Sequence, residues 1–121
     1  LGDSRIYRLR GRVLTQMSVD DSEPVPEGTG HGKPPLTQYL GVFPDELTLV
    51  PHLVKSALKP GDFYLLCSDG LTDLLPNVMI ADCIRQHTSV RQITEHLLRA
   101  ALQNGGRDNV SVIGIKINEL R

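Results

Sequence analysis

The chain has 121 residues, of which 40% are hydrophobic, and a formal net charge of −1. That is one domain's worth of chain or less with enough apolar content for a core, and it shows no basic stripe that would make nucleic acid an obligatory partner. No apolar run approaches the roughly 20 residues needed to cross a bilayer, and no signal peptide opens the chain.

The opening Leu1-Gly2-Asp3-Ser4-Arg5 has no initiator methionine and reads as the end of one strand and the turn into the next. The expectation is a piece of a longer domain. Residues 5–10 (Arg-Ile-Tyr-Arg-Leu-Arg) alternate polar and apolar, which predicts a half-buried strand. Gly11-Arg12 is a tight turn, and residues 13–18 return as the partner strand of a hairpin. Residues 20–35 hold four prolines and three glycines in sixteen positions and read as loop. Residues 36–40 are short and ambiguous, and residues 46–54 read as a strand. Lys59-Pro60-Gly61-Asp62 is a turn into an apolar strand over residues 63–67. Asn77 can cap a helix running to about Gln86. Ser89 caps a second one, with Gln92 as its capping-box partner. In that helix Ile93, Leu97, Ala100 and Ala101 share a face, and Asn104-Gly105 is its stop. Residues 110–117 close the sequence as a strand. Antiparallel strands, then two helices, then a strand predict an α+β sandwich rather than a doubly wound parallel sheet.

The chemistry concentrates at two element boundaries. The strand 63–67 leaves through Ser68-Asp69-Gly70, with a second carboxylate, Asp73, four residues on. A carboxylate at the carboxyl end of a buried strand, followed by glycine, is a usual place for a metal or ligand. Asp108 lies at the far end of the chain, in Gly105-Gly106-Arg107-Asp108-Asn109, and the two acids could converge on one site. Taken alone, Asp69 could equally be a helix cap or turn residue, and Asp3 could hold its hairpin through backbone amides. Arg5, Tyr7 and Tyr64 read as structural, and none of the four histidines has a partner at ligand spacing. Gly70 and Gly106 read as backbone shapes closed to other residues. Cys67 and Cys83 fall in apolar segments without CxxC spacing, which predicts reduced core thiols in a cytoplasmic protein.

Gly2-Asp3-Ser4-Arg5, Leu36-Thr37-Gln38-Tyr39-Leu40-Gly41, Leu58-Lys59-Pro60-Gly61-Asp62 running to Cys67-Ser68-Asp69-Gly70-Leu71-Thr72-Asp73, and Arg107-Asp108-Asn109-Val110-Ser111 occur in that order. Together they resemble the C-terminal half of the metal-dependent protein phosphatases of the protein phosphatase 2C type (the PPM family), particularly the bacterial branch. The resemblance implies that residues 1–121 are the C-terminal half of one domain, a fragment of a four-layer α-β-β-α sandwich of mostly antiparallel sheets. It implies hydrolysis of phosphoserine and phosphothreonine on proteins by a water activated between two Mg²⁺ or Mn²⁺ ions, which ligand type does not separate. Asp69 matches the Ser-Asp-Gly carboxylate on one metal and Asp108 the Asp-Asn carboxylate on the same metal. Asp3 and Asp73 match the carboxylates associated with a third, weaker ion.

The family's remaining motifs lie upstream of its Gly-Asp-Ser-Arg strand and are not in this chain. The fragment alone is therefore expected to be inactive, while an intact parent is expected to be an active monomer in the cytoplasm. Its partners would be phosphorylated protein substrates, with a Ser/Thr kinase and its targets as candidates. The loop over residues 22–35 is shorter than the family's usual flap, which puts flap-mediated substrate selection in question. Two other readings stand beside this one. A non-catalytic phosphatase-like binding or sensing module would have lost acids in the missing half. A stand-alone interaction domain would unfold cooperatively without any other segment.

Overall fold

The computed structural model describes residues 1–25 and 32–121. The alternating residues at the start form β1 (Arg5–Arg10), which turns at Gly11 and returns as β2 (Val13–Gln16). Gly11 has φ of 60°, the left-handed shape such a turn requires. The apolar run forms β3 (Phe63–Cys67), and α1 (Asp69–Thr72), α2 (Asn77–Gln86), α3 (Val90–Gln103) and β4 (Val112–Lys116) follow. The four strands make one antiparallel sheet in the order β2-β1-β3-β4.

Register decides which residues meet the helices. Tyr7 lies opposite Leu65, and Leu9 opposite Phe63 on one side and Leu14 on the other, so the large apolar side chains stack on one face. Tyr7, Leu9, Phe63, Leu65 and Cys67 are buried there against Ile80, Ile84, Ile93 and Leu97 from α2 and α3. Fully burying each such aliphatic side chain contributes about 1.5–3 kcal/mol. β4 comes close to α3 because Gly114 has no side chain. A Cβ there would stand 2.8 Å from Phe63 and 2.9 Å from Val90.

The caps are partly as expected. The Ser89 hydroxyl accepts from the Gln92 amide, and α3 ends at Gly105 and Gly106, both at positive φ. Asn77, by contrast, is the first residue of α2 and not its cap, which is Pro76. Its side-chain oxygen instead accepts the Tyr7 hydroxyl at 2.8 Å, tying the helix to the sheet. Arg5 in turn donates to the Tyr7 hydroxyl and to Asp20, the structural role its position suggested. The turn before β3 is held by Asp62, nearly inaccessible at 1% exposure. It accepts from Arg10 at 2.8 and 2.7 Å and from the Lys59 amide at 2.9 Å. The Arg10 guanidinium lowers the Asp62 pKa to about 2.

Three expectations need correcting. Residues 46–54 form no strand: Val50 is tied to the Gln38 side chain through both its amide and its carbonyl, and the segment joins no ladder. The partner strand ends at Gln16 and the last strand spans Val112–Lys116, each shorter than read. Within the loop read over residues 22–35, residues 26–31, His31 among them, lie outside the described residues.

The second face of the sheet carries Ile6, Leu66, Ile113, Tyr64 and Ile115. Ile6 is 40%, Ile113 58% and Ile115 46% exposed. Residues 52–58 approach this face without closing it, since Leu53 is 89% exposed. Among the described residues, no helix is long and apolar enough to cross a membrane. Burial pushes the Cys67 thiol up to about 11 and raises the Cys83 thiol as well. Two pKa units remove about 99% of the thiolate, so in the folded protein at pH 8 Cys67 is expected to react with a disulfide reagent about 100-fold more slowly than after denaturation. Equal rates would contradict a buried, inert thiol.

Candidate metal centre

The site is built where β3 passes into α1. Ser68 is extended at φ −76°, ψ 165°, and precedes α1 without capping it by its side chain. Its hydroxyl is used across the sheet end, accepting the Ser111 amide at 3.0 Å and reaching the Asn109 carbonyl at 3.4 Å. The Ser68 amide donates to the Ser111 carbonyl at 3.0 Å. These bonds fasten the Asp69 elbow to the loop that carries Asp108. Gly70 is what lets them lie together: a Cβ on it would collide with the Asn109 carbonyl oxygen and stand 3.3 Å from Val110 Cγ2. Its φ is not positive, so the need is for space and not for a special backbone shape.

One turn of α1 puts Asp69 and Asp73 on the same side, as a four-residue separation in a helix requires; the Asp73 amide donates to the Asp69 carbonyl at 2.8 Å. Asp3 comes up beside them from the turn before β1. That turn is held by Gly2 at φ 77°, whose amide donates to the buried Asp21 carboxylate at 3.0 Å. Asp3, Asp69 and Asp73 all meet the ammonium of Lys33. Lys33 Nζ is 2.7 Å from Asp3 Oδ2 and 3.5 Å from Asp73 Oδ2, and it forms an ion pair with Asp69 Oδ2. Burial alone would lower the Lys33 pKa; the Asp3 and Asp73 carboxylates outweigh it and the pKa is raised.

Asp108 stands apart from this trio. Its Oδ1 accepts the Asn109 amide at 2.7 Å, which fixes the side chain at the mouth of a hollow lined also by Gly32, Lys33, Gly70 and Asp73. Among the described residues, no three His, Cys, Asp or Glu side chains are close enough to hold an ion by themselves. The donor set nevertheless suits a hard cation: three carboxylates already gather around one positive charge, and the fourth borders a hollow that Lys33 and Asp73 also line.

Sequence reading missed Lys33. The signal was faint: Lys33 is the one lysine in residues 20–35, which contain no arginine, and the eleven acidic, proline and glycine residues of that stretch read as loop. It also missed His52, read as part of a strand. His52 Nε2 pairs with Asp21 Oδ1 at 2.7 Å and pins the segment after residue 50 to the turn below Asp3. The Asp21 carboxyl is held below its usual range by the Gln38 side chain, then by His52 and the Gly2 amide.

The sequence of the chain matches a known family. The model described as Protein phosphatase 2C matches residues 31–110. The chain belongs to the protein phosphatase 2C family. It is 35% identical over 121 residues to the serine/threonine protein phosphatase PstP of Mycobacterium tuberculosis, covering 93% of this chain and 23% of that protein. It is 34% identical over 130 residues to the protein phosphatase PhpP of Streptococcus pneumoniae, covering 98% of this chain and 52% of PhpP. The serine/threonine phosphatase of S. agalactiae superposes with a TM-score of 0.85 at 27% identity, over 97% of this chain and 52% of that one. The catalytic domain of PstP in complex with two manganese ions superposes with a TM-score of 0.74 at 29% identity, over 98% of this chain and 51% of that one. The chain thus spans about half the length of PhpP and about a quarter of PstP.

Proposed function

We propose that residues 1–121 are the C-terminal half of the catalytic domain of a metal-dependent serine/threonine protein phosphatase. The observation that carries this reading is the meeting of the elbow at Asp69 with the loop at Asp108, locked by Ser68 and Ser111 and allowed by Gly70. Asp69 and Asp108 would hold one of two Mg²⁺ or Mn²⁺ ions, and Asp3 and Asp73 a third, weaker one. Such a pair of ions, when bound, supplies an activated water for attack on phosphorus and offsets charge on the phosphoryl oxygens. The chain's own part is to present carboxylate oxygens on rigid elements and to keep the two loops in register. The manganese-bound PstP domain supports the choice of ion.

The open sheet face supports the division of the domain. Ile6, Ile113 and Ile115 are exposed there, and the cross-strand neighbours Arg8 and Tyr64 leave Nε and Oη buried with no partner among the described residues. A second sheet packed on this face would cover the first group and give the second its partners. Substrates would be phosphoserine and phosphothreonine proteins, the products of a Ser/Thr kinase, acted on by a cytoplasmic monomer. The presence of all four acids weighs against a module that kept the fold and lost the chemistry.

The test is phosphate release from a phosphothreonine peptide by the intact protein that carries this chain. Release that requires Mn²⁺ or Mg²⁺ and stops on chelation is the expected result. No release at millimolar Mn²⁺ from a folded protein would overturn the reading.

A further inference from the structure

The acidic trio already holds a cation, and that cation belongs to the chain. A lysine ammonium has three donors, and Asp3, Asp69 and Asp73 each present Oδ2 to that of Lys33. An ion seeking these oxygens therefore meets a tethered competitor. We propose that Lys33 is a built-in counter-cation for the acidic trio, which a divalent ion must displace in order to bind there. This rests on the metal reading given above.

The geometry suits an exchange and not a permanent ion pair. The Lys33 side chain is 40% exposed and that of Asp73 50%, so the ammonium can leave into water without unpacking a core. Its backbone stays close, because the chain is fastened three residues later. Ser22 bridges Leu36, the Glu23 amide donates to the Pro35 carbonyl at 3.0 Å, and the Thr37 amide donates to the Asp21 carbonyl at 2.9 Å. A tether this short keeps the local concentration of ammonium high around the trio. One positive charge among three carboxylates also leaves the cluster net negative, so it still attracts a divalent ion. The consequence is a weaker site than the acids alone would make, with loading coupled to the position of the segment at residues 32–35.

The experiment is Mn²⁺ binding to the intact protein, followed by calorimetry and by the electron paramagnetic resonance signal of free Mn²⁺, with no substrate present. Lys33→Met removes the charge and keeps the length; Lys33→Arg keeps the charge. Lys33→Met is expected to tighten the weakest Mn²⁺ site about tenfold, the combined effect of losing partly exposed ion pairs, while Lys33→Arg stays near wild type. Equal binding by wild type and Lys33→Met would overturn the competition and leave the metal reading intact. No Mn²⁺ bound by any of the three proteins would overturn the metal reading itself, and the competition with it.

Discussion

Asp69→Asn and Asp108→Asn in the intact protein are each expected to lower Mn²⁺-dependent phosphate release by about a hundredfold or more. Changes to groups that merely orient metal ligands typically cost 10–100-fold, and these two residues are proposed as ligands themselves. Both substitutions keep the shape of the side chain. Asn at position 108 can still accept the Asn109 amide through Oδ1, so the loop keeps its internal bond. Asn at position 69 loses its charge toward Lys33 but stays on a surface-accessible helix start, with a side chain 26% exposed. Stability should therefore change by less than about 1 kcal/mol. Activity measured against Mn²⁺ concentration, alongside thermal unfolding, separates loss of a ligand from loss of the fold. Full activity in the Asp69→Asn protein would remove that residue from the metal centre.

Gly70→Ala is expected to damage the site without touching a carboxylate. The added methyl group would press on the Asn109 carbonyl oxygen and lie 3.0 Å from the carbonyl carbon, and backbone cannot step aside as a side-chain tip can. Relief requires the elbow and the 107–111 loop to part, which strains the bonds between Ser68 and Ser111. Overpacking of this kind costs about 1–3 kcal/mol. The separation moves Asp69 relative to Asp108, so activity should fall steeply and need more Mn²⁺. Denaturant unfolding gives the stability loss, and a Mn²⁺ titration gives the loss of the site. A Gly70→Ala protein with unchanged stability and unchanged Mn²⁺ dependence would show that the close approach of the two loops is not what makes the centre.

Much of this was legible because the informative signals were local. The run at residues 63–67 has one fate in a folded domain, a buried strand, and β3 spans those residues. Ser89 and Gln92 specify the start of α3, and Asn104 with Gly105 its end, through short-range bonds that form wherever the helix does. The four-residue separation of Asp69 and Asp73 fixed their common side once the chain turned helically. The failures came where a distant partner decides. Residues 46–54 have apolar residues enough for a strand, yet strand formation depends on an available edge, and here Gln38 takes the backbone groups of Val50 instead. Asn77 looked like a cap, but Tyr7, seventy residues away, claims its side chain. Gly70 was read as a matter of backbone shape, when the constraint is the Asn109 carbonyl on another loop. Lys33 is the same lesson at the site: its role exists only because the turn before β1 and the two ends of α1 bring their acids to it.

The claim that this chain supplies half of a metal centre is tested most directly by anomalous scattering from crystals of the intact protein grown with Mn²⁺. The account predicts an anomalous peak bonded to both Asp69 and Asp108, with any weaker peak near Asp3 and Asp73 and Lys33 turned away from it. Well-ordered Asp69 and Asp108 with no Mn²⁺ on either would contradict it.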